Sequence, residues 1–313
     1  MGILRKDYIL DRWVYYATER KKRPFEFRKE EVIKESKICF FCPGSEHLTP
    51  KEIGRVEEKG TWKIRWFPNK FPAVELKGNA KLAKNKFFAH SDAYGRHEVI
   101  AETSEHKKQL ADLSVEHIME ILEVYALRMK TLSQLKGIKY VTIFKNHGVF
   151  GGTSLVHSHT QIMAISILPK EIMDEINAAK KHKKCPYCNI IKIESKTKRE
   201  VFENKNFIAI APFASRFNFE VWIFSKKHKK NITEFDDNEL KDLAVILKKI
   251  LLKLKRLNAS YNYYLHYAPQ GFDLHFHIEV SPRFAKWGGF ELSTGAIINS
   301  VRPEDAARFY RSK

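Results

Sequence analysis

Two cysteine pairs and two histidine pairs alternate along this chain, and their order constrains the fold more than any other feature. Cys39-Phe40-Phe41-Cys42 is followed by His106 and then by His157-Ser158-His159. Cys185-Pro186-Tyr187-Cys188 is followed by His228 and then by His275-Phe276-His277. Between the cysteines and the histidine pair, each half reads strands, a single His, one long amphipathic helix and one further strand. The same order twice makes an internal duplication the simplest explanation. A chain of 313 residues with 43% apolar content can bury a sizeable core, and its length suits roughly two domains. We place the halves at residues 1–180 and 181–313, in an α+β fold.

The stretch Gly151-Gly152-Thr153-Ser154-Leu155-Val156-His157-Ser158-His159-Thr160-Gln161 concentrates the chemistry. Read as a strand, period-two alternation puts His157, His159 and Gln161 on one sheet face. A strand that only needed burial would carry Val, Ile or Leu there. The Gly-Gly pair ahead of it lets backbone approach a ligand closely.

A Cys-x-x-Cys in a reducing compartment points to metal binding or redox chemistry before a structural disulfide. A redox pair should open a helix after a strand. Here Pro43-Gly44 follow one pair, and Lys183 and Lys184 precede the other, so both read as loop-borne zinc knuckles. Structural zinc takes four ligands, often two thiolates and two imidazoles. Each half offers such a set: Cys39, Cys42, His106 and His157, then Cys185, Cys188, His228 and His275. Ligands this far apart exclude a nucleic-acid finger, whose histidines lie within about five residues of each other. If His157 is a ligand, His159 stays free. A neutral imidazole at pH 7 is a competent nucleophile for phosphorus. Ser154 and the Gln161 amide can hold phosphoryl oxygens as charge develops.

The remaining pattern predicts strands at 12–16, 61–67, 71–75, 97–101, 139–145 and 155–164, with a helix from Ser114, as cap, to about Leu135. His117 reads as a polar-face residue of that helix. Pro169 starts a helix to about Lys181. The second half predicts strands at 207–211, 219–224, 261–266 and 273–280, and a helix from Asp236 to about Leu257. Arg20 and Arg23, in a basic run before Pro24, are candidate phosphate clamps.

No apolar run approaches the roughly 20 residues of a membrane helix. The N-terminal Met-Gly-Ile-Leu-Arg-Lys-Asp lacks a signal-peptide pattern, and Lys6 stands where a myristoylation signal has Ser or Thr. A cytoplasmic protein is expected. The formal charge of +19 suits nucleic acid, membranes or phosphorylated small molecules, or simply a lysine-rich solvated surface. The 56 Lys and Arg are spread through the chain and do not choose a partner.

Taken together, these stretches resemble the galactose-1-phosphate uridylyltransferase family of the histidine-triad superfamily, over about residues 10–310. Carrying the resemblance are Trp13-Val14, Arg20-Lys21-Lys22-Arg23-Pro24, Cys39-Phe40-Phe41-Cys42-Pro43-Gly44 and Phe67-Pro68-Asn69-Lys70-Phe71-Pro72-Ala73. Further matches are Glu105-His106, Lys145-Asn146-His147-Gly148, His157-Ser158-His159-Thr160-Gln161, Pro212-Phe213-Ala214, Lys227-His228 and Gly289-Phe290-Glu291. The resemblance implies two histidine-triad-like halves, each an antiparallel half-barrel sheet with helices and stapled by zinc, in a homodimer. It implies ping-pong transfer, in which His159 attacks the α-phosphorus of a nucleotide sugar and Gln161 binds the phosphoryl oxygen. Arg20, Arg23, Asn69, Asn146 and Ser154 match nucleotide- and phosphate-contact positions; Lys286 and Glu291 match the region that meets the hexose phosphate.

Two departures bear on the substrate. The family's uridylyltransferases usually read His-Pro-His-Gly-Gln, whereas this chain has Ser158 and Thr160, closer to the ADP-glucose phosphorylase side of the family. The second Cys-x-x-Cys and the closing Gly-Gly-Phe-Glu lean the same way. Retention of His275 and His277 leans back toward the uridylyltransferases, some of which bind iron there through three His and a Glu; His266, His275 and His277 are the candidates for that alternative. The expected function is UDP-glucose–hexose-1-phosphate uridylyl transfer, with adenylyl transfer from ADP-glucose to phosphate as the alternative. A zinc-stapled nucleic-acid binder and a histidine-triad hydrolase are further alternatives. Nucleic acid and membrane are not expected as partners. Glu279 stands where Gln161 stands in the first half, and a carboxylate there would repel phosphate, so the second half is expected to be structural.

Overall fold

The computed structural model describes residues 2–22 and 38–312; Arg23 lies outside the described residues. The chain opens with β1 (Ile3–Lys6) and β2 (Trp13–Tyr16), a 3₁₀ turn at Thr18–Lys22, then β3 (Gly54–Glu58) and β4 (Thr61–Pro68). A small hairpin, β5 (Ala83–Lys84) and β6 (Ala89–His90), precedes β7 (Gly95–Ala101), α1 (Val115–Ser133), β8 (Tyr140–His147), β9 (His159–Ile165) and α2 (Lys170–Ala179). There follow α3 (Pro186–Glu194), β10 (Glu200–Glu203), β11 (Phe207–Ile210), β12 (Val221–Ser225), α4 (Asp237–Arg256), β13 (Tyr261–His266) and β14 (His277–Pro282). The chain closes with α5 (Gly289–Thr294), β15 (Ile297–Asn299) and α6 (Pro303–Arg311).

Ten strands form one continuous sheet in the order β10-β11-β12-β14-β13-β8-β9-β7-β4-β3, antiparallel at every pairing. Strands of both halves therefore share a single sheet, joined where β8 pairs β13. There Asn146 lies opposite Asn262 and Phe144 opposite Tyr264. Outward from that seam the registers mirror each other: Phe144 lies opposite Gln161, and Tyr264 opposite Glu279. β1, β2 and β15 make a separate small sheet.

One face of the large sheet is closed by α1 and α4, which pack on each other. Even-numbered residues of β9, Ile162 and Ala164, enter the core with Ile100 of β7, Val141 and Ile143 of β8 and Ile121, Leu122 and Tyr125 of α1. Burial of this face supplies the main driving force for folding. Ser114 caps α1 by accepting the His117 N–H, and Asp236 with Glu239 forms a capping box at α4, as Ser and Asp do at helix starts. Odd-numbered residues of β9, His159, Gln161 and Met163, lie on the opposite, open face.

Four expectations change. Residues 71–75 form no strand; Glu75 makes one isolated bridge to Tyr94. β9 and β14 begin at the second histidine of each pair, so His157 and His275 precede the strands and do not share the faces of His159 and His277. The second cysteine pair is not in a loop: Pro186 is the first residue of α3, with Cys185 as its cap, where a missing proline N–H costs nothing. His117 is half-buried and bonds the Glu102 carbonyl at 2.8 Å instead of pointing to solvent.

Candidate active site

His157 leaves the strand because its ring is drawn toward two thiols. Its Nδ1 lies 3.5 Å from Cys39 Sγ and 3.6 Å from Cys42 Sγ, and His106 Nδ1 lies 3.4 Å from Cys42 Sγ. The His157 Nε2–H donates to the Thr103 carbonyl at 2.7 Å, leaving Nδ1 with its lone pair toward the sulfurs. The four ligand atoms lie within 4.8 Å of one another. Ligands on a tetrahedral zinc stand roughly 3.3–3.8 Å apart, so the set fits such an ion. Burial and the neighbouring Cys39 push the Cys42 thiol up to about 11, and burial holds His157 down near about 4. A cation between them would offset the cost of the thiolates, while the imidazole is already in its ligating form.

The second half repeats this arrangement. His275 Nδ1 lies 3.4 Å from Cys188 and 3.9 Å from Cys185, and His228 Nδ1 lies 3.6 Å from Cys188. The His275 Nε2–H donates to the Ser225 carbonyl, and the His228 Nε2–H to Asp273. These outer bonds fix each ring's orientation, as around metal-ligating histidines.

His159 starts β9, pinned by what precedes it. Its Nδ1–H donates to the His157 carbonyl at 2.8 Å, so Nε2 carries the lone pair. No described residue bonds that Nε2. Burial and the Lys145 charge both hold the His159 pKa below its ordinary value, keeping the ring neutral. His159 borders a cavity of about 230 Å³ that is also lined by Lys145, Asn146, His147, Gly148, Val149, Thr153, Leu155 and Ser158. The Gly148–Thr153 loop fits because Gly151 has no side chain: a Cβ there would come 2.2 Å from the His147 carbonyl oxygen.

Ser158 and Thr160 face the core side. Both hydroxyls donate to Glu102, which also accepts from Lys145 and from Tyr125. Lys145 donates as well to Ser158 and, at 3.0 Å, to the carbonyl of His159. Burial works to raise the Glu102 carboxyl, and Lys145 with the two hydroxyls outweighs it, leaving Glu102 ionised. The hydroxyls thus have a physical reason: Pro and Gly at these positions could not satisfy a fully buried carboxylate. Sequence reasoning gave Glu102 and Lys145 no role in the site, although a lysine in phase with Val141 and Ile143 on the core face was a signal.

The other candidates fall into two groups. Asn146 lines the cavity, and its Oδ1 accepts from Asn262 at 2.8 Å, which turns its NH₂ outward. Gln161 and Asn69 both meet His97, at 2.9 and 3.2 Å. Ser154 is exposed and does not line the cavity, although its neighbours Thr153 and Leu155 do. Arg20, Lys286 and Glu291 gather instead around a second cavity of about 190 Å³ with Arg216 and Trp287. Lys286 Nζ lies 5.9 Å from the Phe150 ring of the glycine loop, so the groups border one another. Glu291 spends one oxygen on the Gly288 N–H at the start of α5.

At the second-half counterpart of the His159 site, His277 Nδ1–H donates to the His275 carbonyl at 2.9 Å, as His159 does to His157. The His277 Nε2 points at Glu175 of α2 and Glu279, 3.8 Å from each. Glu175 is bonded by His266 and Tyr187, and Glu279 by Arg216 and Tyr264. The three-histidine set considered for iron is therefore divided: His275 turns to the thiols, while His266 and His277 meet Glu175 and Glu279. Those four form a buried group of potential ligands, but His266 and Arg216 already balance both carboxylates. Glu175 and Arg216 were invisible in the sequence.

Comparison with known proteins agrees with this architecture. Residues 4–169 match the galactose-1-phosphate uridyl transferase N-terminal domain and residues 175–286 its C-terminal domain. The chain is 33% identical to ADP-glucose phosphorylase of Arabidopsis thaliana, over 98% of this chain and 92% of that protein. It is 32% identical to galactose-1-phosphate uridylyltransferase of Thermotoga maritima, over 98% and 97%. A crystal structure of the Arabidopsis phosphorylase with bound ADP-glucose superposes with a TM-score of 0.86 at 31% identity, covering 100% of this chain and 99% of that one. A uridylyltransferase structure superposes with 0.77 at 26% identity, over 99% and 97%. The chain is a nucleotidyltransferase-like enzyme that belongs to the galactose-1-phosphate uridylyltransferase family of the histidine-triad superfamily.

Proposed function

We propose that this enzyme transfers a nucleotidyl group from a nucleotide sugar to a phosphate-bearing acceptor through a covalent nucleotidyl-His159, with uridylyl transfer between UDP-glucose and a hexose 1-phosphate as the first reading. The observation that carries it is the bond from His159 Nδ1 to the His157 carbonyl. It leaves Nε2 as a neutral nucleophile beside a cavity, on a residue next to the Cys/His cluster. In the first step Nε2 forms a bond to the α-phosphorus, and the bond from that phosphorus to the bridging oxygen breaks. The sugar 1-phosphate leaves with the electron pair. In the second step a phosphate oxygen of the acceptor attacks the same phosphorus and His159 departs, again neutral. Gln161 and Asn146 donate to the phosphoryl oxygens. Arg20, Arg23, Asn69, Ser154, Lys286 and Glu291 are assigned to nucleotide, phosphate and hexose binding.

Zinc is assigned to each Cys/His cluster, two ions per chain, which would hold the carbonyls of His157 and His275 in place. The Glu175–His266–His277–Glu279 group is assigned no metal, because its own ion pairs balance its charge. The halves at 1–180 and 181–313 serve catalysis and support respectively, in a cytoplasmic homodimer. No helix of the described residues is long and apolar enough to cross a membrane.

Phosphorolysis of ADP-glucose is a second reading. It is supported by the full-length likeness to the Arabidopsis phosphorylase and by Ser158 and Thr160 on Glu102. Incubation with radiolabelled UDP-glucose or ADP-glucose, each alone, followed by denaturation, tests both. Label on the chain from one of them, absent in His159→Ala, identifies the donor; label from neither refutes the nucleotidyl-histidine.

A further inference from the structure

A glutamine amide can donate to a phosphoryl oxygen only when its nitrogen faces the substrate. Its two ends have nearly the same shape, so something in the protein must choose between them. In this chain the choice is made by His97, a residue outside the assigned site.

His97 lies on β7 and Gln161 on β9. His97 pairs with Met163 and Gln161 with Val99, which makes His97 and Gln161 diagonal neighbours on the open face. His97 is 7% exposed. The segment after β4 wraps its ring. The Asn69 N–H donates to the His97 carbonyl at 2.8 Å, and the Ala73 N–H donates to His97 Nδ1 at 3.3 Å. A backbone N–H cannot accept, so Nδ1 must be the unprotonated nitrogen and Nε2 must carry the hydrogen. That Nε2–H lies 2.9 Å from Gln161 Oε1.

Asn69 also meets this ring. Its Oδ1 accepts the Phe71 N–H at 2.9 Å, so its NH₂ is the end that faces His97 Nε2, 3.2 Å away. That amide meets the Nε2–H donor to donor and gives it no acceptor, so among the described residues the Nε2–H has Gln161 Oε1 to bond. Gln161 can enter only oxygen first. Its own NH₂ is then left toward the open face, where no described residue accepts from it.

We propose that His97 is the positioning residue of the transfer reaction: it holds the Gln161 amide with its N–H groups toward the phosphoryl group through both half-reactions. The assignment rests on the role given to Gln161 above. Without His97 the amide can turn over and present oxygen lone pairs to the phosphoryl oxygens. Equal occupancy of two orientations costs about twofold, and complete loss of one oxyanion donor costs about 10²-fold. Losing one neutral hydrogen bond that fixes the geometry falls between them, at about tenfold in rate.

The test compares His97→Phe, which keeps a ring and loses the donor, with His97→Gln, whose amide places an N–H near the lost Nε2. Gln161→Ala and the double variant His97→Phe/Gln161→Ala complete a cycle. Rapid-quench labelling of the enzyme by whichever nucleotide sugar labels it gives the rate and the half-saturating concentration. His97→Phe is expected to slow labelling about tenfold with half-saturation changed less than twofold. His97→Gln should recover most of that rate, and the double variant should be no slower than Gln161→Ala. A purely structural role would weaken saturation and thermal stability and add to the Gln161→Ala effect. If Gln161→Ala is slow while His97→Phe labels at the wild-type rate, or if the two effects add, the inference is overturned. If Gln161→Ala itself labels at the wild-type rate, the glutamine's assignment falls and the inference with it.

Discussion

Lys145→Met isolates the buried network beneath the histidine strand. Lys145 and Glu102 both have side chains 0% exposed and form an ion pair. Glu102 also accepts from Ser158, Thr160 and Tyr125, so the substitution strands a carboxylate that keeps three neutral donors. Breaking one side of a buried pair costs about 3–5 kcal/mol, and the remaining donors put this case near the lower end. The midpoint of a urea titration followed by tryptophan fluorescence should fall by about 1 M. The cost must depend on pH. Without Lys145 the folded-state pKa of Glu102 rises above its unfolded value. A raised folded pKa gives stability that is present in full below the unfolded pKa, near 4.3, and is lost as pH rises. The variant should therefore be more nearly wild-type at pH 5 than at pH 7. Lys145→Met/Glu102→Gln, which removes both charges, should recover much of the loss. A shift under 0.3 M at pH 7, or a double variant as unstable as the sum of the singles, would refute the view that this is one coupled network.

Three other outcomes are expected. His159→Ala should abolish labelling by nucleotide sugar while metal content, measured by elemental analysis, stays level; retained label would remove His159 as the nucleophile. Cys39→Ser and Cys185→Ser should each lower metal content by about one ion per chain, and an unchanged content in either would mean that cluster holds none. Burial works to lower the His266 pKa, and Glu175 with Glu279 outweighs it, raising it to about 9. A raised pKa contributes stability below about 6.5 that is lost as pH rises through about 9. The melting temperature should thus fall by about 3–6 °C between pH 6.5 and 9, and His266→Gln should flatten that slope; a slope unchanged in the variant would place the titration elsewhere.

How much of this was legible in the sequence follows from which interactions are local. The caps Ser114 and Asp236 and the apolar period of α1 and α4 are written in adjacent residues, so helix positions were readable to within a few residues. So was the grouping of both Cys/His clusters, because cysteine and histidine seldom recur in one order without shared chemistry. The alternation of β9 placed His159 and Gln161 on one face for the same local reason. Period-two reasoning then failed one step earlier: it put His157 on that face as well, whereas attraction to two thiols 115 or more positions away in sequence takes its ring off the strand.

What only the tertiary structure decided depends on register and on contacts between distant segments. That the cavity is completed by Asn146, turned by Asn262 of the other half, follows from the β8–β13 seam. The separation of Arg20, Lys286 and Glu291 from the histidine strand follows from the small sheet that joins β2 to β15. Only the packing of α2 shows that Glu175 reaches His277. Only the β7–β9 register brings His97 beside Gln161. Sequence by itself determined which chemical groups the chain brings and in what order, because that depends on residue type and short-range period. The three-dimensional pairing determined that His277 meets two carboxylates while His159 borders a cavity, because burial and hydrogen-bond partners are set by segments that meet only in the folded chain.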